Sequence, residues 1–334
     1  MKSTFFSLLG ILLLSSATTL FAQTPTYVLD KKIALPGDGG YDYLSIDKAN
    51  NRLYVSHGTT VNVVDINTNQ VVGTIDGMQG VHGIAIVSKY NKGFISDGRG
   101  TSAVAFDLKT LAKISTIPLT NKGPDAIIYD AFSDKVLVIN GNSNSASIVD
   151  PKELKQVGTI DLGGAPEFAV TNNKGLMYNN LEDKNSLDVI DTKTMKVIHN
   201  YPLAPGEGPT GLALDEKNHR LFSGCRGNKG MEVMDAISGR IITTLPIGAG
   251  VDAVAYDPET KLIFCSNGDA TTTIIKQESA DKYSVVQTLA TQTRAKTLAL
   301  DAKTHKIYLS VVSMYPATKK AIPGSFTVLV YKPQ

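Results

Sequence analysis

Seven residues of differing chemistry recur about every 42 positions along the chain: Asp42, His82, Asp125, Glu167, Thr210, Asp252 and Lys296. Each opens a short apolar run, as in DYLSID, DAIIYD, TGLALD, DAVAYD and KTLALD. Gathered at one place, several carboxylates repel one another, and a divalent cation, a bound cationic group or raised pKa values would relieve that repulsion. Asp42, Asp125, Glu167 and Asp252 form the candidate metal set. Their hard oxygens favour Ca2+ or Mg2+ over zinc, because the set holds a single histidine and no paired thiols. His82, beside such acids, is the candidate general base of a hydrolytic reaction. The competing structural role is that each anchor binds linker N–H groups, since Gly123-Pro124, Ala165-Pro166 and Gly208-Pro209 shape those linkers tightly.

A second set of polar residues follows the next strand of each repeat: His57, Asp97, Arg99, Asn142, Asn180, Glu182, Asp183, Arg226, Asn267 and Asp269. Arg99 and Arg226 could clamp a carboxylate or phosphate while the acids hold a metal or a polyol. The loop SVVSMYPATKKAIPGS is the longest in any repeat, and Tyr315 is its contact residue for a bound ligand. Asp42, His82, Asp97, Arg99, Arg226, Lys296 and Tyr315 are therefore the candidate ligand-binding residues.

The elements that must position these groups are legible as a repeat. After each anchor strand comes a second strand (RLYVS, RLFSG, KLIFCS, KIYLS), a third (VNVVD, AVAFD, ASIVD, LDVID, MEVMD) and a fourth (QVVGTI, AKISTI, KQVGTI, RIITTL). The anchor strands are near-continuous apolar runs, which means that both faces are buried, as in sheets packed face to face around an axis. The seventh repeat stops after its third strand at FTVLVYKPQ, whereas YVLDKKIALPGDGG near the start matches a fourth strand and its linker. The expected fold is an all-β, seven-bladed β-propeller whose last blade is closed by the N-terminal strand, covering an otherwise open edge. On that ring the linkers and the loops after the second strand share one face, around the mouth of the central channel.

Repetition also separates scaffold from chemistry. Asp65, Asp107, Asp150, Asp191 and Asp235 each end a third strand, and Asp47, Asp130, Asp215, Asp257 and Asp301 each close a first. A group present in every repeat is expected to shape a turn, its carboxylate accepting backbone N–H bonds. His199, His219 and His305 fall at outer strands or turns and are expected to face solvent.

The period, the VVD endings and the YVSH and YLSV variants at Tyr54 and Tyr308 resemble the YVTN signature of the bacterial YVTN-type β-propeller repeat family. The resemblance runs from about Thr26 to Gln334 and departs from the signature at LVIN (Leu137) and MYNN (Met177). It implies the propeller fold and leaves function open, since such rings host lactonases, lyases, dehydrogenases and binding proteins.

Composition narrows the partners. The chain has 334 residues and a formal charge of +2, no footprint for nucleic acid or an anionic membrane. Lys2 followed by FFSLLGILLL is too short to span a bilayer and reads as a signal peptide over residues 1–22, cut after Ala22, leaving residues 23–334 as one propeller domain. A periplasmic or extracellular location, a monomer and no membrane anchor are expected. Cys225 and Cys265 are the only thiols, and burial as free apolar side chains is favoured over a disulfide. Tryptophan is absent, which argues against quinone-cofactor propellers, and no haem-attachment, H-E-x-x-H, Walker or G-x-S-x-G motif occurs. No resident cofactor is implied apart from Ca2+ or Mg2+ at the acid ring. The leading expectation is an exported binding protein for a small polar ligand or a protein partner at the channel mouth. The alternative is a metal-dependent, lactonase-like hydrolase; single-stranded nucleic-acid binding ranks third, because a basic groove with stacking aromatics is missing.

Overall fold

The computed structural model describes residues 25–334 except Asp38 and Lys319; the signal-peptide segment lies outside the described residues. The described residues form seven four-stranded antiparallel sheets. Six are consecutive in the chain, at residues 41–75, 81–118, 124–161, 166–202, 209–246 and 251–293, each running from its inner to its outer strand. The seventh comprises Leu298–Asp301, Lys306–Val311 and Thr327–Pro333, completed on its outer edge by Tyr27–Ala34. Tyr27 pairs with Pro333, Ile33 with Val328 and Ala34 with Thr327, so the N-terminal strand closes the ring as the repeat register requires.

Apolar side chains of neighbouring blades interdigitate. Leu53, Val55 and Val64 of the first blade pack with Tyr308, Val328 and Val330 of the seventh, and all are buried. Tyr27 packs against Phe264 of the sixth blade, ring centroids 5.0 Å apart, so the closing strand is anchored across the blade boundary as well as within its sheet. Both faces of the second strands are covered, which explains why RLYVSH is buried from Leu53 onward.

The repeated aspartates shape turns. Asp65 Oδ1 accepts from the Asn67 and Thr68 amides, both at 2.9 Å, and Asp107, Asp150, Asp191 and Asp235 repeat the arrangement. His305 differs from the expectation of a solvent-facing ring: its Nδ1 lies 2.7 Å from Asp257 Oδ2, linking the sixth and seventh blades. Cys225 and Cys265 are buried free thiols, and burial pushes the Cys225 thiol up to about 12.

Two features aim the anchor residues. The pairing of first and second strands skips at Tyr41/Leu44, Val81/Ile84, Pro124/Ile127, Pro166/Ala169, Pro209/Leu212 and Val251/Ala253. Each of the first six anchors therefore sits in a β-bulge, where the backbone leaves the ladder and a side chain can be turned out of the sheet. Hydroxyls of the second strands then stitch neighbouring blades at these bulges: Ser96 Oγ accepts from Gly83 N at 2.7 Å and donates to the Asp125 carbonyl of the next blade. Ser266 bonds the Lys296 carbonyl at 2.5 Å in the same way; between the seventh and first blades it is Thr297, next to its anchor, whose Oγ1 donates to the Asp42 carbonyl at 2.8 Å.

Candidate functional site at the channel mouth

The linker amides are satisfied by loop residues, which leaves the anchor side chains available. Asp97 Oδ1 accepts from Gln79 N at 2.9 Å and Gly80 N at 2.8 Å; Asp183 holds Ala165 N at 2.7 Å and Asp269 holds Ala249 N at 2.6 Å. Of the predicted ligand-binding residues, Asp97 is thus placed as a linker tether, 4% exposed. Thr210 is also turned to structure, donating to the Val251 carbonyl at 2.9 Å.

The remaining anchors divide the mouth into two halves of different electrostatics. On one side, His82 Nδ1 lies 2.7 Å from Asp42 Oδ2 and 3.4 Å from Asp125 Oδ1. These three residues come close enough for one ligand atom from each to share an ion. Asp125 Oδ1 is shut off from solvent and has no hydrogen-bond partner among the described residues. Burial, reinforced by the charge of Asp42, pushes the Asp125 carboxyl up to about 7. Glu167 is pushed up to about 8 by burial and by the neighbouring Asp125 and Glu182 carboxylates. The Asp42 bond holds the His82 imidazole above its ordinary value, with burial opposing and Asp125 assisting.

On the other side the charges are already matched. Asp252 is gripped by Lys296 Nζ on one oxygen and by Arg226 on the other, and Arg226 also lies 3.3 Å from Glu182. Burial works against the Lys296 charge, but Asp252 and then Asp42 keep its pKa above the ordinary value. The four predicted metal ligands are therefore not equivalent: Asp42 and Asp125 converge with His82, Glu167 faces Asp125 and Glu182, and Asp252 is committed to two cations.

The concave space lies beside the first half. A cleft of about 350 Å3 between the first two blades is lined by Gly39, Gly40, Gly58, Gly80, Asp42, His82 and Arg99. Arg99 lies over Gly80, where a Cβ would come within 2.9 Å of its side chain. Its guanidinium makes no hydrogen bond or ion pair among the described residues, whereas Arg226 is fully engaged. The two arginines therefore do not form a matched clamp. Gly98 packs on the imidazole edge, and a Cβ there would come within 2.8 Å of His82 Nε2 and 2.9 Å of the Pro124 carbonyl. Tyr315 is 48% exposed on its loop and does not line this cleft. That loop is ordered by Tyr315 N donating to the Lys320 carbonyl and Ile322 N to that of Ser313, both at 2.8 Å.

Two functional-looking residues escape a reading based on the anchors. The position after each anchor is small in five blades (Gly83, Ala126, Gly211, Ala253, Thr297) and aromatic in two, Tyr43 and Phe168. These belong to the first and fourth blades, and their ring centroids meet 5.4 Å apart. Tyr43 stands beneath the acids: burial, then Asp125 and Asp42, raise its phenol well above the usual value. The signal was present in the sequence as a break in an otherwise small-residue column.

No family model matches the chain. It is 24% identical over 228 residues to Antigen Lp49 of Leptospira interrogans, covering 62% of this chain and 48% of that protein, so the chain spans about half the length of the curated relative it matches. Among solved structures it resembles Kuenenia stuttgartiensis hydrazine synthase, with a TM-score of 0.52 at 15% identity over 71% of this chain and 95% of the other. At that identity the likeness concerns the propeller fold alone.

Proposed function

We propose that the protein is an exported binding protein of the YVTN-type propeller class, and that its channel mouth takes a small polar ligand. The observation that carries this reading is the glycine-lined cleft in which the Asp42–His82 pair faces an Arg99 guanidinium that has no hydrogen-bond or ion-pair partner among the described residues. A site that holds both an acid–imidazole network and a guanidinium supplies donors and acceptors to one polar molecule, while the glycines let it approach backbone groups. Export rests on the leader-like N-terminus, and the class assignment on the YVSH and YLSV variants of the repeat's second strand. A protein partner engaging the same face through an acidic or carboxylate-bearing side chain fits the same chemistry.

A second reading is favoured by one geometric fact, the convergence of Asp42, His82 and Asp125 on a space that could hold an ion. With Ca2+ or Mg2+ there, the cation would polarise an ester carbonyl, and the mouth would serve a lactonase-like hydrolysis. In that scheme His82 is held by Asp42 and is free to act as base only through the ring edge covered by Gly98.

Calorimetric titration with a panel of sugar acids, aldonolactones and small dicarboxylates tests the first reading. Saturable binding that is lost in Arg99→Ala supports it, and binding unaffected by that change overturns it. Turnover of an aldonolactone in the presence of Ca2+ or Mg2+, abolished in His82→Ala, would instead establish the hydrolase.

A further inference from the structure

Below the mouth, the channel opens on the opposite face of the ring and has a different character. The Tyr43–Phe168 contact lies between the acids and this lower space, and the upper cleft shares no lining residue with it. On one side of Phe168 a cavity of about 520 Å3 is walled by Tyr43, Ile46, Ile84, Ile86 and Ile128. On its other side a cavity of about 440 Å3 is walled by Val170, Leu212, Leu214, Val254 and Tyr256. Asn173 lies at the edge of both.

The geometry points to a second binding site here, one for a small uncharged amphiphile with an apolar body and a single hydrogen-bonding end. Four observations carry it. The wall residues Ile46, Ile86, Ile128, Val170 and Leu214 are only half-buried although they pack against the blade cores, so their outer surfaces line the empty channel. Each of these five blades presents one branched aliphatic side chain to the channel, at the third or the fourth position after its anchor, although a polar residue there would face the same space without disturbing the cores. The aromatic pair floors the channel, which makes it a blind pocket, and each cavity falls within the roughly 300–1,000 Å3 of small-molecule sites. Finally, the pocket offers no free charge: its one acidic lining residue, Glu216, is paired with Lys174 at the entrance, which disfavours a charged ligand. Asn173, whose Oδ1 accepts from Ala131 N at 2.9 Å, keeps its amide NH2 at the entrance for the polar end of the ligand.

The test uses the neutral fluorophore N-phenyl-1-naphthylamine with the purified mature protein. Saturable fluorescence enhancement is expected in the wild type, weakened at least tenfold in Ile128→Trp or Val170→Trp, each of which fills the channel. Arg99→Ala leaves this binding unchanged, so failure of the mouth reading and failure of the channel site are told apart. Each filled variant is read only alongside its melting transition; two positions in different blades are used because either indole alone could disturb packing. Absence of a saturable signal in the wild type, or undiminished affinity in a cooperatively folded filled variant, overturns the proposal.

Discussion

His82 Nδ1 lies 2.7 Å from Asp42 Oδ2, a bond between the second blade and the first, made by two residues that open successive repeats. The same nitrogen is 3.4 Å from Asp125 of the third blade, so a single imidazole sits between carboxylates contributed by both neighbours. Protonated, it neutralises part of their repulsion, and its one Nδ1–H goes to the nearer acceptor, Asp42.

Removing that ring leaves Asp42 and Asp125 facing each other with only the more distant charge of Lys296 to offset their repulsion. His82→Ala is expected to cost about 1–3 kcal/mol, the range for stranding a partly buried polar partner. The loss should be larger at pH 6, where the imidazole is charged, than at pH 9. Urea denaturation at the two pH values checks this, and an equal loss at both would mean that the ring acts only by packing.

The acids give a second pH dependence of the same sign. Asp125 and Glu167 have folded pKa values of about 7 and about 8, raised first by burial, so the folded state holds protons that the unfolded chain releases near pH 4. Their contribution is fully present below the unfolded values and is lost as pH rises through the folded ones. His82, also raised, loses its contribution in the same direction. Melting temperature should therefore fall between about pH 5 and pH 9, and Glu167→Gln, which mimics the protonated acid, should flatten the decline. A slope unchanged in that variant would remove Glu167 as its source.

How far the sequence reaches is visible in these same residues. Blade number, strand order and closure by Tyr27–Ala34 are repeating properties, and repetition averages out local ambiguity. The face on which the anchors gather was legible for the same reason. What each anchor does was not, because its aim depends on a bulge that shifts the pairing between Tyr41 and Leu44 and on which neighbour carries a compensating charge. Asp125 and Asp252 look identical in DAIIYD and DAVAYD; only the ring order sets Lys296 and Arg226 beside one of them. His305 looks solvent-facing in the sequence because its pairing with Asp257 spans 48 residues and two blades.

Closure supports a mechanical prediction. Tyr27 is 1% exposed, packs on Phe264 and donates to the His305 carbonyl at 2.7 Å, so it pins the closing strand at one end. Tyr27→Ala should cost about 3–5 kcal/mol, as for other fully buried aromatic truncations. Deleting residues 25–34 should expose the edge of Thr327–Pro333 and promote association through it. Light scattering and a denaturant melt check both; a monomeric deletion variant with wild-type stability would show that the ring does not depend on this clasp.

Ser96 couples scaffold to site, since its hydroxyl joins Gly83 N to the carbonyl of Asp125. Ser96→Ala leaves both groups unpaired inside the blade interface and should destabilise by about 1–3 kcal/mol. Because the lost bond sits on the backbone of Asp125, the pH slope of stability should change as well. A variant destabilised by that amount with an unaltered pH profile would separate the stitch from the acid network.

Asp252 provides the test of what keeps the acid ring from acting as a cation cage. Both of its oxygens are taken by cations, Lys296 and Arg226, while among the described residues Asp42 and Asp125 have only His82 as an ion-pair partner. Replacing Lys296 by methionine preserves most of the side-chain volume but removes a positive charge from the centre of the mouth, and so should turn Asp252 toward the remaining acids. Ca2+ binds the folded state through hard oxygens and raises stability as RT ln(1 + [L]/Kd). Millimolar Ca2+ is accordingly expected to raise the melting temperature of Lys296→Met more than that of the wild type, and Asp125→Asn in the same background should abolish the difference. Equal shifts in the wild type and Lys296→Met would show that the lysine does not mask the acids, and that the charge balance between the two halves of the mouth has another origin.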